Sequence, residues 1–176
     1  MTTKKKVLAI SGSIRQHSTN HKYIKAIELL AGDAFEVHLF EGLAELPHFN
    51  PDMALENVPK QVLAFRELIA NADGILICTP EYAHGVPGSL KNAIDWTVTS
   101  ADLDGKPTLL ITASTDGREG HKSLLETLHV IQAGSVKKLQ LLISHAQTKI
   151  NAQHEITDSV LLKNLKELLI LYNSLL

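Results

Sequence analysis

Short apolar runs alternate along this chain with segments of helical periodicity, and this pattern limits the folds that the chain can adopt. The runs at residues 6–10, 74–79 and 108–112 are rich in Val, Leu and Ile, with few polar residues between them. A strand with one solvent-exposed face would alternate apolar and polar residues, so these runs are typical of strands covered on both faces. Because parallel strands need crossover helices that cover the sheet, the alternation predicts an α/β protein with a parallel sheet.

Five strand–helix units can be distinguished along the chain. Strands are predicted at residues 6–10, 35–40, 74–79, 108–112 and 138–143. Helices are predicted at about residues 18–31, 61–70, 90–98 and 124–131, with a last helix capped by Thr157 or Asp158. The segment 42–59 contains three prolines and is predicted to be a long loop. This order predicts a three-layer α/β/α, doubly wound, five-stranded parallel sheet of the flavodoxin type, with strand order 2-1-3-4-5.

Composition and charge exclude several classes of protein. The 176 residues form one predicted domain, 1–176, and a net charge of −2 argues against a nucleic-acid partner or a polybasic membrane binder. One cysteine, Cys78, excludes a disulfide framework and a zinc site built from cysteines. The apolar run after the basic residues 1–6 is too short for a signal peptide, and no stretch is long enough to span a bilayer. A cytoplasmic location is therefore expected.

Ligands of open parallel sheets bind beyond the carboxyl ends of the strands, which selects the segments 11–20, 80–88 and 114–121. The first leads into a helix N-terminus, where free amides and the helix dipole favour an anion. Arg15 and the hydroxyl and amide side chains around it add donors suited to phosphate. Neither the G-x-G-x-x-G nor the Walker spacing is present, so a monophosphate fits better than a dinucleotide. The alternative is a capping turn with a solvated Arg15.

The second and third segments have the composition of loops that approach a flat ligand closely. Residues 80–88 contain two prolines and two glycines, and Tyr82 is suited to pack beside a ring. Residues 114–121 contain two glycines and two hydroxyl side chains. The alternatives are an ordinary strand-to-helix loop, with Tyr82 and Trp96 in the core, and a flexible surface loop.

Two motifs carry a resemblance to a known family. Gly12-Ser13-Ile14-Arg15, with Ser18 and Asn20, resembles the phosphate loop G-S-[LI]-R-x-x-S-x-N of the NADPH-dependent FMN reductase family. Residues 80–96 are similar to the second, longer motif of that family, P-E-Y-x-x-x-[VI]-P-G-x-L-K-N-A-[IL]-D-W. The resemblance extends over about residues 5–142. The family is flavodoxin-like and includes quinone, azo-dye and chromate reductases.

The resemblance implies a non-covalently bound FMN at the carboxyl edge of the sheet and a homodimer or homotetramer. It implies NADPH or NADH as the donor, and a small-molecule oxidant such as a quinone, azo compound, chromate or free flavin. No metal and no protein catalytic residue is expected. Around the phosphate, the implied cofactor-binding residues are Ser11, Ser13, Arg15, Ser18, Thr19 and Asn20. Around the ring and ribityl chain they are Pro80, Glu81, Tyr82, Ala83, Ser114, Thr115, Asp116 and Gly117.

The implied reaction is a two-step hydride transfer, from NAD(P)H to the flavin N5 and from the flavin to the oxidant. Many relatives have Asn after P-E-Y, whereas this chain has Ala83, so a side-chain hydrogen bond toward the flavin or nicotinamide is missing. Two alternatives stay open. One is a flavodoxin-like electron carrier, although such carriers usually have a T-x-T-G-x-T loop and an acidic surface. The other is an FMN-binding module without NAD(P)H oxidation of its own.

Three further side chains attract attention for their chemistry. His17 and His21 are four residues apart and could share a helix face, but no third metal ligand lies near them in sequence. Cys78 ends a buried strand without an adjacent His or Lys, which indicates inert packing. His84 lies in the second loop and is interpreted as solvent-exposed.

Overall fold

The computed structural model describes residues 4–176; residues 1–3, part of the basic N-terminal segment, lie outside the described residues. Its five parallel strands form one sheet in the order β2-β1-β3-β4-β5, which confirms the predicted fold class and strand order. The strands are β1 (Lys5–Ser11), β2 (Phe35–Phe40), β3 (Gly74–Thr79), β4 (Thr108–Ala113) and β5 (Gln140–Ile143). The helices are α1 (Thr19–Ala31), α2 (Lys60–Ala70), α3 (Gly88–Val98), α4 (Arg118–Val130) and α5 (Ser159–Asn173).

The sheet is covered on both faces, as the apolar runs predict. Successive strand side chains point to opposite faces. In β3, Leu76 and Cys78 belong to the core under α1 and α5, whereas Ile75 and Ile77 belong to the core under α2, α3 and α4. All four side chains are fully buried. Strand β3 therefore has no solvent-exposed face, and a ligand can reach it only at its end.

Three predicted elements begin two or more residues away from their predicted starts, and one of them, α3, begins at Gly88 and not at residue 90. Helix α4 was expected to start near residue 124, but it begins at Arg118 and is 13 residues long. Gly120 in its first turn lowers the helix propensity of this segment. A contact from the loop after β3 compensates, because Glu81 Oε2 accepts from Gly120 N–H. Strand β5 was expected from residue 138 but begins at Gln140, because residues 135–139 form a turn closed by Lys138 N–H donating to the Ser135 carbonyl (2.9 Å). At the last helix, Asp158 is the cap: its Oδ1 accepts from Leu161 N–H (2.9 Å).

The long loop after β2 is held by α3. It contains two short 3₁₀ turns, Gly42–Glu45 and Pro51–Met53. Asn92 Nδ2 and Trp96 Nε1 both donate to the Pro47 carbonyl, at 3.0 and 2.8 Å, and Asn92 Oδ1 accepts from Phe49 N–H (2.8 Å). The Asn and Trp of the second motif therefore serve to fix this loop.

Within residues 4–176, no helix is both long and apolar enough to cross a membrane.

Candidate active site

The turn after β1 is shaped by Ser11 and Gly12. Ser13 N–H donates to Ser11 Oγ (3.2 Å), and Ser11 Oγ–H donates back to the Ser13 carbonyl (3.1 Å). A Cβ on Gly12 would lie 2.1 Å from Thr79 Oγ1, so no side chain fits there. Ser11 is only 3% exposed. Its hydroxyl is thus used to bend the loop against β3.

The start of α1 presents polar donors. Ser18 Oγ accepts from Asn20 N–H (3.2 Å) and caps the helix. Asn20 Oδ1 accepts from the buried Cys78 thiol (3.4 Å), which leaves the Asn20 NH₂ group as the end directed to other partners. Within residues 4–176, the Arg15 side chain forms neither an ion pair nor a hydrogen bond. A free guanidinium beside a helix N-terminus favours an anion.

The loop after β3 ends in a tight two-residue turn. Tyr82 and Gly85 exchange two backbone hydrogen bonds of 2.9 Å each. The two central residues, Ala83 and His84, both have positive φ, +50° and +58°, as a type I′ turn requires. Tyr82 is 48% exposed, so its ring is accessible.

Glu81 joins the second loop to the third. Its Oε2 accepts from Gly120 N–H in α4 (2.7 Å), and its own N–H donates to Ser114 Oγ (3.2 Å). The loops after β3 and β4 are therefore attached to each other at their bases.

The segment after β5 closes the same end of the sheet. His145 N–H donates to the Thr115 carbonyl and Ala146 N–H to the Ser114 carbonyl, both at 2.9 Å. From the other side, Tyr23 Oη donates to the Ala146 carbonyl (2.9 Å). Burial is the largest cause of a raised Tyr23 pKa, so this hydroxyl keeps its proton and remains a donor.

These loops surround one cavity of about 310 Å³ at the carboxyl edge of the sheet. Most of the predicted cofactor-binding residues line it: Ser13, Arg15, Ser18, Thr19, Asn20, Pro80, Glu81, Tyr82, Ser114 and Thr115. The α1 end offers hydroxyl, amide and guanidinium donors, and the β3 end offers Pro80 and the Tyr82 ring. The cavity thus has one end rich in donors that suit an anion, and one end that is less polar.

Four predicted residues lie outside the lining of this cavity. Ser11 lies beneath the first loop, and Ala83 is at the tip of the turn. Asp116 is turned away to Arg118, with two contacts of 2.8 and 2.9 Å, and this hydrogen bonding lowers the pKa of the Asp116 carboxyl. Gly117 has φ +94° and precedes α4. Their roles toward a cofactor stay predictions.

Some lining residues were missed by sequence reasoning. They are Ala113, His145, Ala146, Gln147 and Thr148. The last four follow β5, and the strand-end rule applies to this strand as it does to the others. No motif marks them, so only that rule could have found them. Gln147 and Thr148 are exposed and add an amide and a hydroxyl to the wall of the cavity.

The other conspicuous side chains have ordinary surroundings. Within residues 4–176, no three or more His, Cys, Asp or Glu side chains are placed to share a metal ion. Cys78 is fully buried, and burial raises the pKa of its thiol. The His84 side chain is 80% exposed, as interpreted from the sequence. The alternative that placed Tyr82 and Trp96 in the core is right for Trp96, which is fully buried, and wrong for Tyr82.

A doubly wound sheet with a donor-rich loop after its first strand and a cavity at its carboxyl edge defines a class of α/β protein that binds its ligands beyond the ends of the strands. The sequence pattern of one such family, described as NADPH-dependent FMN reductase, matches residues 5–148. The chain belongs to this family.

Relatives agree with this assignment. A quinone reductase of Escherichia coli (strain K12) is 34% identical over 159 residues, covering 87% of this chain and 85% of that protein. An NAD(P)H-dependent FMN reductase of Pseudomonas aeruginosa is 35% identical with the same coverage of the two chains. Among solved structures, the flavoenzyme NAD(P)H:(acceptor) oxidoreductase FerB of Paracoccus denitrificans has a TM-score of 0.76 and 27% identity, covering 97% of this chain and 96% of that one.

Proposed function

We propose that this protein is an NAD(P)H-dependent FMN oxidoreductase that passes electrons from NADPH or NADH to a small oxidant. The observation that carries the proposal is a cavity with phosphate-type donors at one end and an exposed tyrosine ring at the other. This arrangement matches the two ends of a flavin mononucleotide. The family assignment independently points to the same cofactor.

The anion-binding end holds the cofactor phosphate in this proposal. Arg15 supplies the positive charge, and its guanidinium has no carboxylate partner within residues 4–176 to displace. Ser13, Ser18, Thr19 and the Asn20 NH₂ group supply neutral donors. Charge-assisted hydrogen bonds of this kind are among the strongest a protein makes to phosphate.

The β3 end and the β4 end hold the ring and the ribityl chain. Pro80 and Tyr82 border the less polar part of the cavity, whose lining also includes Ser114 and Thr115. Ser11, Ala83, Asp116 and Gly117 are assigned supporting roles, because their contacts set the shape of the loops. Gln147 and Thr148 are added to the wall beside α1, since Tyr23 holds Ala146 there.

Bound FMN would supply the redox chemistry, and the chain supplies binding, orientation and access. Glu81 is 10% exposed and already accepts a backbone hydrogen bond, so we assign it no proton-transfer role. The half-exposed Tyr82 leaves the ring end accessible to flat oxidants. The quinone reductases among the relatives make a quinone the first acceptor to test.

The remaining assignments concern the whole chain. Residues 1–176 act as one flavodoxin-like domain, located in the cytoplasm, without a nucleic-acid or membrane partner, and assembled as a homodimer or homotetramer. The net charge of −2 supports the absence of a nucleic-acid partner, because nucleic-acid binders need a basic surface.

A visible spectrum of the purified protein with added FMN, taken before and after anaerobic NADPH or NADH, tests the function. We expect bound flavin to bleach on addition of the nicotinamide and to recover its colour when a quinone is added. Bound flavin that does not bleach would favour the electron carrier. A protein that takes up no FMN would contradict the proposal and both alternatives.

A further inference from the structure

Helix α4 begins without a side-chain cap of its own. Its N-cap residue is Gly117, which has no side chain and no capping hydrogen bond. The first amides of a helix have no partner inside the helix. An N-cap side chain normally accepts from the second or third helical residue. In α4, which begins at Arg118, the third residue is Gly120.

Glu81 supplies the missing acceptor from a different loop. Its Oε2 lies 2.7 Å from Gly120 N, although the two residues are 39 positions apart in the chain. The carboxylate is 10% exposed and lies at the positive end of the helix dipole, where a negative charge is favoured. Glu81 therefore takes the part of an N-cap residue for a helix that belongs to the next strand–helix unit.

The loop that contains Glu81 and Gly85 packs closely against α4 at Gly120, where no side chain fits without a shift. A Cβ added to Gly120 would lie 2.9 Å from the Gly85 carbonyl oxygen and 3.0 Å from Glu81 Cγ. The turn from Tyr82 to Gly85 is consequently seated on the bare backbone of α4. A side chain at position 120 would push this turn away from the helix.

We propose that Glu81 is a positioning residue, whose carboxylate caps α4 and thereby fixes the Tyr82–Gly85 turn beside the cavity. The functional consequence rests on the proposed function, in which that turn borders the cofactor ring. The contact requires an acceptor oxygen at this position. Gln can provide such an oxygen and Ala cannot, so the two substitutions are expected to differ.

The test compares Glu81→Ala and Glu81→Gln with Glu119→Ala. Glu119 is in the same first turn of α4 but exposed, so its substitution removes one negative charge without touching the loop. FMN affinity is measured by quenching of flavin fluorescence, and hydrogen exchange is measured at the amides of Tyr82, Gly85 and Gly120. Tyr82 and Gly85 report the turn, because their amides bond to each other's carbonyls.

For Glu81→Ala we expect faster exchange at the three amides and FMN binding weakened about tenfold, the size expected for loss of a cap. Glu81→Gln restores both to within about twofold, and Glu119→Ala leaves both unchanged. If Glu81→Ala does not fold, Gly120→Ala serves as the second variant. It keeps the carboxylate but displaces the turn, so FMN binding also weakens.

Either of two results would overturn the proposal: Ala and Gln variants that are equally weak, or amides of the Ala variant that exchange at the wild-type rate. Failure of the proposed function looks different. In that case the wild type binds no FMN or is not reduced by NAD(P)H, while the exchange rates of the three amides still respond to Glu81→Ala.

Discussion

Two adjacent residues with strained backbone form the tip of the second loop. Ala83 and His84 are adjacent and both have left-handed φ values, +50° and +58°. A residue with a Cβ is disfavoured there by roughly 1–2 kcal/mol, and Gly or Asn tolerates the conformation better. The turn nevertheless keeps its shape, because Tyr82 and Gly85 exchange two hydrogen bonds across it. Strain of this kind is often located at functional sites.

Replacing Ala83 with Asn is expected to stabilise the protein by about 0.5–1 kcal/mol, because Asn adopts left-handed φ at lower cost. The measurement is the free energy of unfolding in urea. Ala152→Asn is the matched control: Ala152 is exposed in a turn and is not among the positive-φ residues, so no gain is expected. Equal effects at the two positions would contradict the strain argument.

The unpaired guanidinium of Arg15 leads to a prediction about ligand charge. Arg15→Gln is expected to weaken FMN binding about tenfold or more, since hydrogen bonds to charged groups contribute roughly 1.5–3 kcal/mol. Riboflavin, which lacks the phosphate, should bind wild type and variant equally. Lys22→Gln removes a positive charge nearby without touching the cavity lining and should leave both affinities unchanged. An equal loss for FMN and riboflavin would place Arg15 away from the phosphate.

At the scale of elements, the end of α2 is held by one cation. Lys106 Nζ donates to the carbonyls of Ile69 and Ala72, both at 2.7 Å. The last carbonyls of a helix lack partners within it, and a positive charge is favoured beside them. Partial burial lowers the pKa of Lys106. The cap therefore ties the loop before β4 to the helix before β3.

Lys106→Met is expected to lower the free energy of unfolding by about 1–3 kcal/mol, because the Ala72 carbonyl loses its donor, whereas the Ile69 carbonyl keeps the Ala72 N–H (3.2 Å). Lys5→Met is the control, since Lys5 forms an exposed ion pair with Asp73 (3.2 Å) and its removal should cost about 0.5 kcal/mol or less. Both are measured by urea unfolding. Similar losses for the two variants would show that charge, and not the cap, matters at position 106.

The start of α4 contains a histidine that responds to pH. Gln140 Nε2 donates to the Lys137 carbonyl, which turns Gln140 Oε1 toward the ring, where His121 Nε2–H donates to it (2.9 Å). His121 Nδ1 then accepts from the Thr112 hydroxyl (2.8 Å). Burial lowers the pKa of His121, and the hydrogen bond to Gln140 opposes this only in part.

Because the folded pKa is depressed, the unfolded chain takes up the proton first as the pH falls. Stability from this residue is thus complete above about pH 6.5 and is lost below it. Unfolding free energies measured between about pH 5 and pH 8 should fall less steeply on the acid side in His121→Gln than in wild type. His17→Gln, at an exposed position, should keep the wild-type slope. If the unfolding free energies of wild type and both variants had the same pH dependence, His121 would not be the cause of the loss of stability at low pH.

For the whole molecule, the proposed assembly leads to a prediction about its molecular mass in solution. Val98 at the end of α3 is 50% exposed and Val130 at the end of α4 is 69% exposed, and both border one surface groove. Light scattering should give about two or four times the chain mass of 19.3 kDa. Val98→Asp should lower that mass, whereas Val160→Asp, exposed on α5, should not. A monomer mass for the wild type would contradict the proposal.

The proposed catalytic function depends on the whole fold, because no single strand–helix unit supplies all the residues that line the cavity. Its wall is made from the ends of β1, β3, β4 and β5, which are brought side by side by crossover connections. The segments at residues 13–20 and 145–148 are far apart in sequence and meet through Tyr23 and Ala146. A change that shifts any one strand end is therefore expected to alter the cavity.

The sheet and the positions of its loops follow from patterns in the sequence. Uninterrupted apolar runs can only be buried on both faces, and the strand-end rule then places the segments 11–20, 80–88 and 114–121 at one edge. Each of the two motifs consists of residues that are close together in sequence, so the motifs identify Arg15, Asn20 and Tyr82 directly as candidate cofactor-binding residues. Periodicity and motifs are properties of neighbouring residues, which is why they are readable without a structure.

Which of those residues face the cavity, and which contacts hold them, depends on the tertiary fold. Asp116 turns to Arg118, Ser11 bends its own loop, and the segment 145–148 closes the wall without any motif. The early start of α4 depends on Glu81, 39 residues from the amide that it caps. Such contacts depend on distances between residues that are remote in sequence, and no local pattern encodes those distances.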